Sequence, residues 1–171
     1  MQIPKADDAM NGSYGSKSQG GDSMASLTIS SPAFGENEKI PVRYSCKGDN
    51  VNPELHFEDV PEGTRSLVLI VDDPDAPGGI FDHWIVFDIP PETSVLAENS
   101  IPKDAIQGVN GFGDIGYGGP CPPSGTHRYR FKLYAVDTTI ELPEGSTKDD
   151  VLEAIDGHVL EDDMLTGLFS K

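Results

Sequence analysis

From Leu27 onward the chain alternates short apolar runs with clusters of turn residues. The runs "LTIS", "IPVRYS", "ELHF", "SLVLIV", "HWIVFDI" and "YRFKLYAV" are parted by groups such as "KGDNVNP", "VPEGT" and "DDPDAPGG". β-Branched and aromatic residues fill the runs while Pro, Gly, Asn and Asp fill the gaps, which is the chemistry of strands and turns. In the last run Tyr129, Phe131, Leu133 and Ala135 alternate with Arg130, Lys132 and Tyr134, so one face is predicted buried and the other wetter. "SLVLIV" is apolar throughout and is predicted to be a central strand covered on both faces. No helical segment separates the strands to make parallel crossovers, so the pattern predicts a mainly β, two-sheet sandwich rather than an α/β sheet.

The C-terminal end breaks the pattern. In "GSTKDDVLEAIDGH" the hydroxyl of Ser146 or Thr147 can cap a helix, Asp149 and Asp150 suit its first turn, Val151, Leu152 and Ile155 form an apolar stripe, and Gly157 stops it. "DDMLTGLF" is predicted to form a second short helix. Residues 1–24, rich in Gly, Ser, Asn and Asp, hold too little apolar surface to offset ordering entropy, so they are expected to be a disordered tail or leader, with 25–171 as one domain and Met24 as an alternative start.

Composition narrows the function. With 29 acidic and 12 basic residues the formal charge is −17, which repels nucleic-acid phosphates and anionic membranes. The stretch from Glu141 to Asp163 holds nine acids and one base, Lys148, and reads as a solvated face. No apolar run reaches the roughly 20 residues of a membrane span, and the first residues lack a secretion-signal core, so a soluble cytoplasmic protein is expected. The two cysteines, Cys46 and Cys121, are too few for a disulfide scaffold or a thiolate zinc site; two free thiols are expected, with a bridge as the alternative, because spacing alone does not bring them together.

Two loops concentrate chemistry. "DDPDAPGGIFDHW" has the D-x-D spacing of a calcium loop at Asp73 and Asp75, but Pro77 and Trp84 stand where further ligands belong, so calcium is excluded and capped turns are the plain alternative. Its prolines stiffen the turn. "GGPCPPSGTHRYR" fixes φ at Pro120, Pro122 and Pro123 and delivers His127, Arg128 and Tyr129 onto a strand. If Asp73, His83, His127 and Tyr129 converge, a carboxylate orients one imidazole and favours its charged form, and imidazole and phenol donors face a small anion. A metal held by two His and an Asp, or acid–base chemistry, would use the same groups. Ser124 lies outside any G-x-S-x-G elbow, against a Ser-His-Asp hydrolase. His56 and His158 have no motif around them and read as structural.

These same residues carry a resemblance. "DDPDAP" followed by "HW", then "GYGGPCPPSGTHRYRFKLYAVD", resembles the phosphatidylethanolamine-binding proteins, also called Raf kinase inhibitor proteins, in their bacterial and archaeal branch; the likeness runs from Leu27 to Phe169. It implies a Greek-key fold of two antiparallel sheets with one or two short C-terminal helices and an anion pocket at one end. By position, Asp73 matches the pocket aspartate, His83 and His127 its two histidines, Tyr129 its hydroxyl and Pro123 the proline at its mouth. Phe81 falls at an aromatic wall, and Asp75 and Arg128 at a buried or partly buried charge pair joining the two loops, so that losing Arg128 should cost more than losing a surface charge.

The resemblance further implies a non-enzymatic binder of phosphate or a phosphorylated headgroup, without cofactor or metal, that regulates a kinase or peptidase and self-associates. Only three residues separate the Pro-Pro pair from His127 and no tyrosine-bearing helix follows Phe169, which favours a phosphate group in an open site over a whole phospholipid. The rivals are an acid–base hydrolase built on the same His and Asp groups and a dimeric interaction protein with a vestigial pocket.

Overall fold

The computed structural model describes residues 25–171; the expected tail and the alternative start at Met24 lie outside the described residues. The elements are β1 (Thr28–Ser30), β2 (Glu38–Lys39), β3 (Leu55–Glu58), β4 (Ser66–Asp73), β5 (Phe81–Ile89), β6 (Val95–Leu96), β7 (Ile106–Gln107), β8 (Thr126–Val136), α1 (Lys148–Ile155) and β9 (Val159–Ser170). A small sheet runs β1-β3-β6 and a larger one β2-β9-β8-β4-β5-β7. The pairings are antiparallel except the short edge pair β2–β9.

β4 explains the layering. Leu67, Leu69 and Val71 face the small sheet in the main core, while Val68 and Ile70 face the other way into a second core under Val151 and Ile155 of α1. A strand covered on both sides has no use for polar positions, which is why "SLVLIV" shows no alternation. β8, its neighbour in the middle of the sheet, does alternate: Tyr129, Phe131 and Leu133 are buried and Arg128, Arg130 and Lys132 are not. The helix is capped as read, by Thr147: its hydroxyl takes the Asp150 N–H at 3.1 Å and the Asp150 carboxylate takes the Thr147 N–H at 3.2 Å.

Four expectations are corrected. "IPVRYS" is not a strand: it follows the short β2, and Val42–Tyr44 wind into a single 3-10 turn. "DDMLTGLF" is not a second helix; it belongs to β9, which pairs with β8 along its length. Its Asp163, Leu165, Gly167 and Phe169 have strand periodicity, and the open edge of β8 outweighs the helix preference of Met and Leu. Cys46 and Cys121 are bridged, with Cα atoms 5.5 Å apart. A backbone bond from Cys46 N–H to the Pro120 carbonyl at 3.1 Å sets the two segments side by side, a long-range contact that spacing does not encode. Finally, the acidic C-terminal stretch is not wholly a solvated face: the carboxylates of Glu161 and Asp163 accept the N–H groups of Leu27 and Ile29 at 2.8 and 3.0 Å and tie β9 to the small sheet.

Candidate functional site

β4, β5 and β8 are neighbours, and the antiparallel order brings the last residue of β4 beside the first residues of β5 and β8. Asp73, Phe81, His83, His127 and Tyr129 therefore gather at one end of the large sheet. A β-bulge aims His83. Val71 pairs with Trp84 but Asp72 pairs with Asp82, leaving His83 as the extra residue on β5. Without the bulge, strict alternation would place His83 on the opposite face from Trp84; with it, Trp84 stays in the main core and His83 also meets Tyr129 from β8.

Tyr129 stands between the two imidazoles, its ring centroid 5.2 Å from that of His83 and 6.4 Å from that of His127. Each imidazole is anchored through Nδ1. That of His83 donates to the Gly118 carbonyl at 2.7 Å, and that of His127 to the Asp73 carboxylate at 2.6 Å. Neither Nε2 atom makes a hydrogen bond among the described residues. The Tyr129 hydroxyl is shielded and unbonded; the Asp73 carboxylate and the Cys121 backbone N–H face it without closing a bond. Burial, then the Asp73 charge, pushes this phenol well above its usual value, so it stays a hydroxyl at physiological pH. Burial lowers the His83 imidazole below the ordinary histidine range, against the pull of the Gly118 carbonyl and Asp73.

The walls come from the two predicted loops and one segment that sequence reasoning missed. Asp73 also accepts the Asp75 N–H at 2.7 Å, and Asp75 in turn takes Arg128 through its backbone N–H, Nε and Nη2 at 2.9, 3.0 and 2.9 Å. These bonds hold the Asp75 carboxyl at about 2, below its usual range. The pair does join the loops, but Arg128 is 56% exposed and turned outward, so a loss of the buried-pair kind is not expected of its removal. Phe112 is the missed residue: half exposed, it packs edge-on against Phe81 at 4.8 Å and His83 at 5.6 Å. Its glycine-rich surroundings are the signal, since a Cβ on Gly111 would lie 2.6 Å from the Phe81 ring and one on Gly118 2.6 Å from Phe112.

Pro123 is exposed in the loop that the Cys46–Cys121 bridge secures. Asp73, His83, His127 and Tyr129 are each less than a tenth exposed, so the site is nearly closed. An open cleft of about 330 Å³ lies elsewhere, lined in part by Asn50, Asn52, Asn99, Gln107 and Tyr117, with none of the sequence-predicted site residues. His56 and His158 lie away from the site, paired with Glu54 and Asp137. Among the described residues no group of three or more His, Cys, Asp or Glu could hold a metal ion, and no helix is long and apolar enough to cross a membrane.

Fold and site together define a two-sheet β protein with an anchored pair of imidazoles at the end of its larger sheet. The profile of the phosphatidylethanolamine-binding proteins matches residues 30–170. A UPF0098 protein of Methanothermobacter thermautotrophicus is 47% identical over 150 residues, covering 85% of this chain and 99% of that one. A putative phosphatidylethanolamine-binding protein homologue from Chlamydia trachomatis superposes with a TM-score of 0.82 at 44% identity, covering 85% of this chain and 98% of the other. E. coli YbcL, described as a member of the mammalian family, gives 0.81 at 31% identity, with 86% and 99% covered. The chain belongs to the phosphatidylethanolamine-binding protein family.

Proposed function

We propose that the chain is a binding module, not a catalyst, whose ligand is a small phosphate-bearing anion held by His83, His127 and Tyr129. One observation carries this: two imidazoles with their Nδ1 atoms already engaged surround a buried phenol that has no partner. An orphaned buried hydroxyl costs stability, and a ligand oxygen would satisfy it. Asp73 orients His127; Phe81 and Phe112 wall the site against water; Pro123 edges the loop beside it. Regulation of a kinase or peptidase by the occupied surface is the use the family resemblance suggests. The exposed Cys46–Cys121 bridge favours an oxidising setting, so assays belong under non-reducing conditions.

The test is a titration of the histidine side-chain NMR signals with phosphate and with phosphoethanolamine. His83 and His127 should both shift; silence from both, with the fold intact, would end the proposal. A second reading, acid–base hydrolysis, is favoured by the Asp73–His127 geometry, in which the carboxylate fixes the tautomer of a base. Turnover on a phosphoester or peptide panel that disappears in His127→Ala would establish it instead.

A further inference from the structure

The open cleft of about 330 Å³ falls within the range of small-ligand sites, ~300–1,000 Å³, and shares no residue with the imidazole cluster. Its walls come from residues 50–52 before β3, residues 99–101 between β6 and β7, Gln107 of β7 and residues 115–117 beyond it. In a chain that is 24% charged, none of the described residues lining it carries a charge. The acids that flank the lining in sequence, Asp49 and Glu98, both pair with Arg43. The amides of the cleft are built in. Asn52, 5% exposed, donates from Nδ2 to the Ala97 carbonyl at 3.1 Å and accepts the Ser100 N–H at 3.0 Å, which fixes the 99–101 wall. Asn50 Oδ1 accepts the Gly119 N–H at 2.8 Å, and Gln107 Oε1 accepts the indole N–H of the fully buried Trp84 at 2.7 Å. Both partners are donors only, so neither amide can be turned round: the oxygens are held by the protein and the NH2 groups are left over. Neither NH2 group bonds to an acceptor among the described residues. The Gln107 amide lies over Gly116, where a Cβ would stand 3.5 Å from its Oε1 and 3.7 Å from its Nε2, so the bare glycine keeps this part of the cleft open.

We propose that this cleft is a second binding site, for an uncharged polyhydroxylated small molecule of the sugar or polyol class. Its oxygens accept from Asn50 Nδ2 and Gln107 Nε2, whose orientation costs nothing further on binding because the protein has already set it. Ser100 and Asn99, both exposed, donate and accept as hydroxyls require. Ile101, Ile115 and Tyr117 supply apolar surface for the C–H faces of a ring; the Tyr117 hydroxyl is spent on the Tyr44 carbonyl at 2.8 Å, so Tyr117 offers its ring alone. An anion would meet no cation here and a net charge of −17 around it, and a cation would find no carboxylate in the lining. An extended peptide added to the edge of β7 is disfavoured as well, because the Gln107 carbonyl already accepts the Gly145 N–H at 3.0 Å.

Titration with a panel of neutral mono- and disaccharides tests this, each sugar set beside its uronate and its amino-sugar counterpart, which keep the ring and change the charge. The readout is the indole N–H NMR signal of Trp84, the chain's single tryptophan, with the side-chain NH2 signals of Asn50 and Gln107. At least one neutral sugar should move all three and bind about tenfold more tightly than its charged counterparts, which bring an unpaired charge to an uncharged wall. Gln107→Glu and Asn50→Asp each keep the acceptor that Trp84 or Gly119 needs and replace the NH2 donor with an oxygen, and each should weaken that sugar about tenfold. No response to any neutral sugar, equal binding of the charged counterparts, or an affinity that both variants retain would overturn the inference. A response confined to the His83 and His127 signals would place the sugar at the imidazoles and overturn it too. Should a variant not fold, the charge series on the unsubstituted chain decides alone. Phosphate binding is read on other residues, so its failure and the failure of this site are told apart.

Discussion

At the scale of single residues, the site trades stability for readiness. The Tyr129 hydroxyl is buried without a partner, so Tyr129→Phe should leave the folded state as stable or slightly more so, while weakening phosphate binding by about tenfold. Parallel denaturant melts and phosphate titrations would show it; a variant that loses stability and keeps its affinity would mean that the hydroxyl is bonded in the free protein. Asp75 gives a pH signature. Its folded value of about 2 lies below the ordinary ~3.9. Its contribution is therefore complete above about pH 4 and is lost as the pH falls through about 2. The stability gap between the unsubstituted protein and Asp75→Asn should close across that window, read from urea midpoints; a gap that stays constant would mean the carboxylate is not what Arg128 holds.

At the scale of elements, β9 depends on close approach. Gly167 faces the main core where a Cβ would stand 2.5 Å from Ile40 Cγ1 and 2.7 Å from Phe34, so Gly167→Ala should destabilise by about 1–3 kcal/mol in chemical denaturation. An unchanged midpoint would show that Ile40 and Phe34 can give way. β9 also marks where sequence reading stops. β3, β4, β5 and β8 announced themselves as apolar or alternating runs, and α1 through its cap and acidic first turn. "DDMLTGLF" did not, because its strand character comes from pairing with β8 and not from its own residues. For the same reason the approach of "GGPCPPSGTHRYR" to the end of β4 could be read from motif, whereas the approach of Cys46 to Cys121 and the place of Phe112 could not. The bulge that aims His83 is likewise invisible in sequence, since it exists only relative to β4.

At the scale of the whole molecule, the charge of −17 opposes the ligand that the site would take. The cations of β8 are spent on Asp75 and Asp72, so they do not focus anions inward. Raising inert salt from about 10 to about 100 mM shortens the screening length from ~30 to ~10 Å. Phosphate affinity should therefore rise or hold across that range, and a steep fall would mean that a cation lines the site after all. The Cys46–Cys121 bridge has a topological consequence. It closes a covalent ring over a sequence separation of 75 that contains both Asp73 and His83, together with the exposed Asp75 to Ile80 turn between them. A protease that cuts this turn would leave the two fragments travelling as one species until a reductant is added, with imidazole and carboxylate on separate pieces yet still tethered.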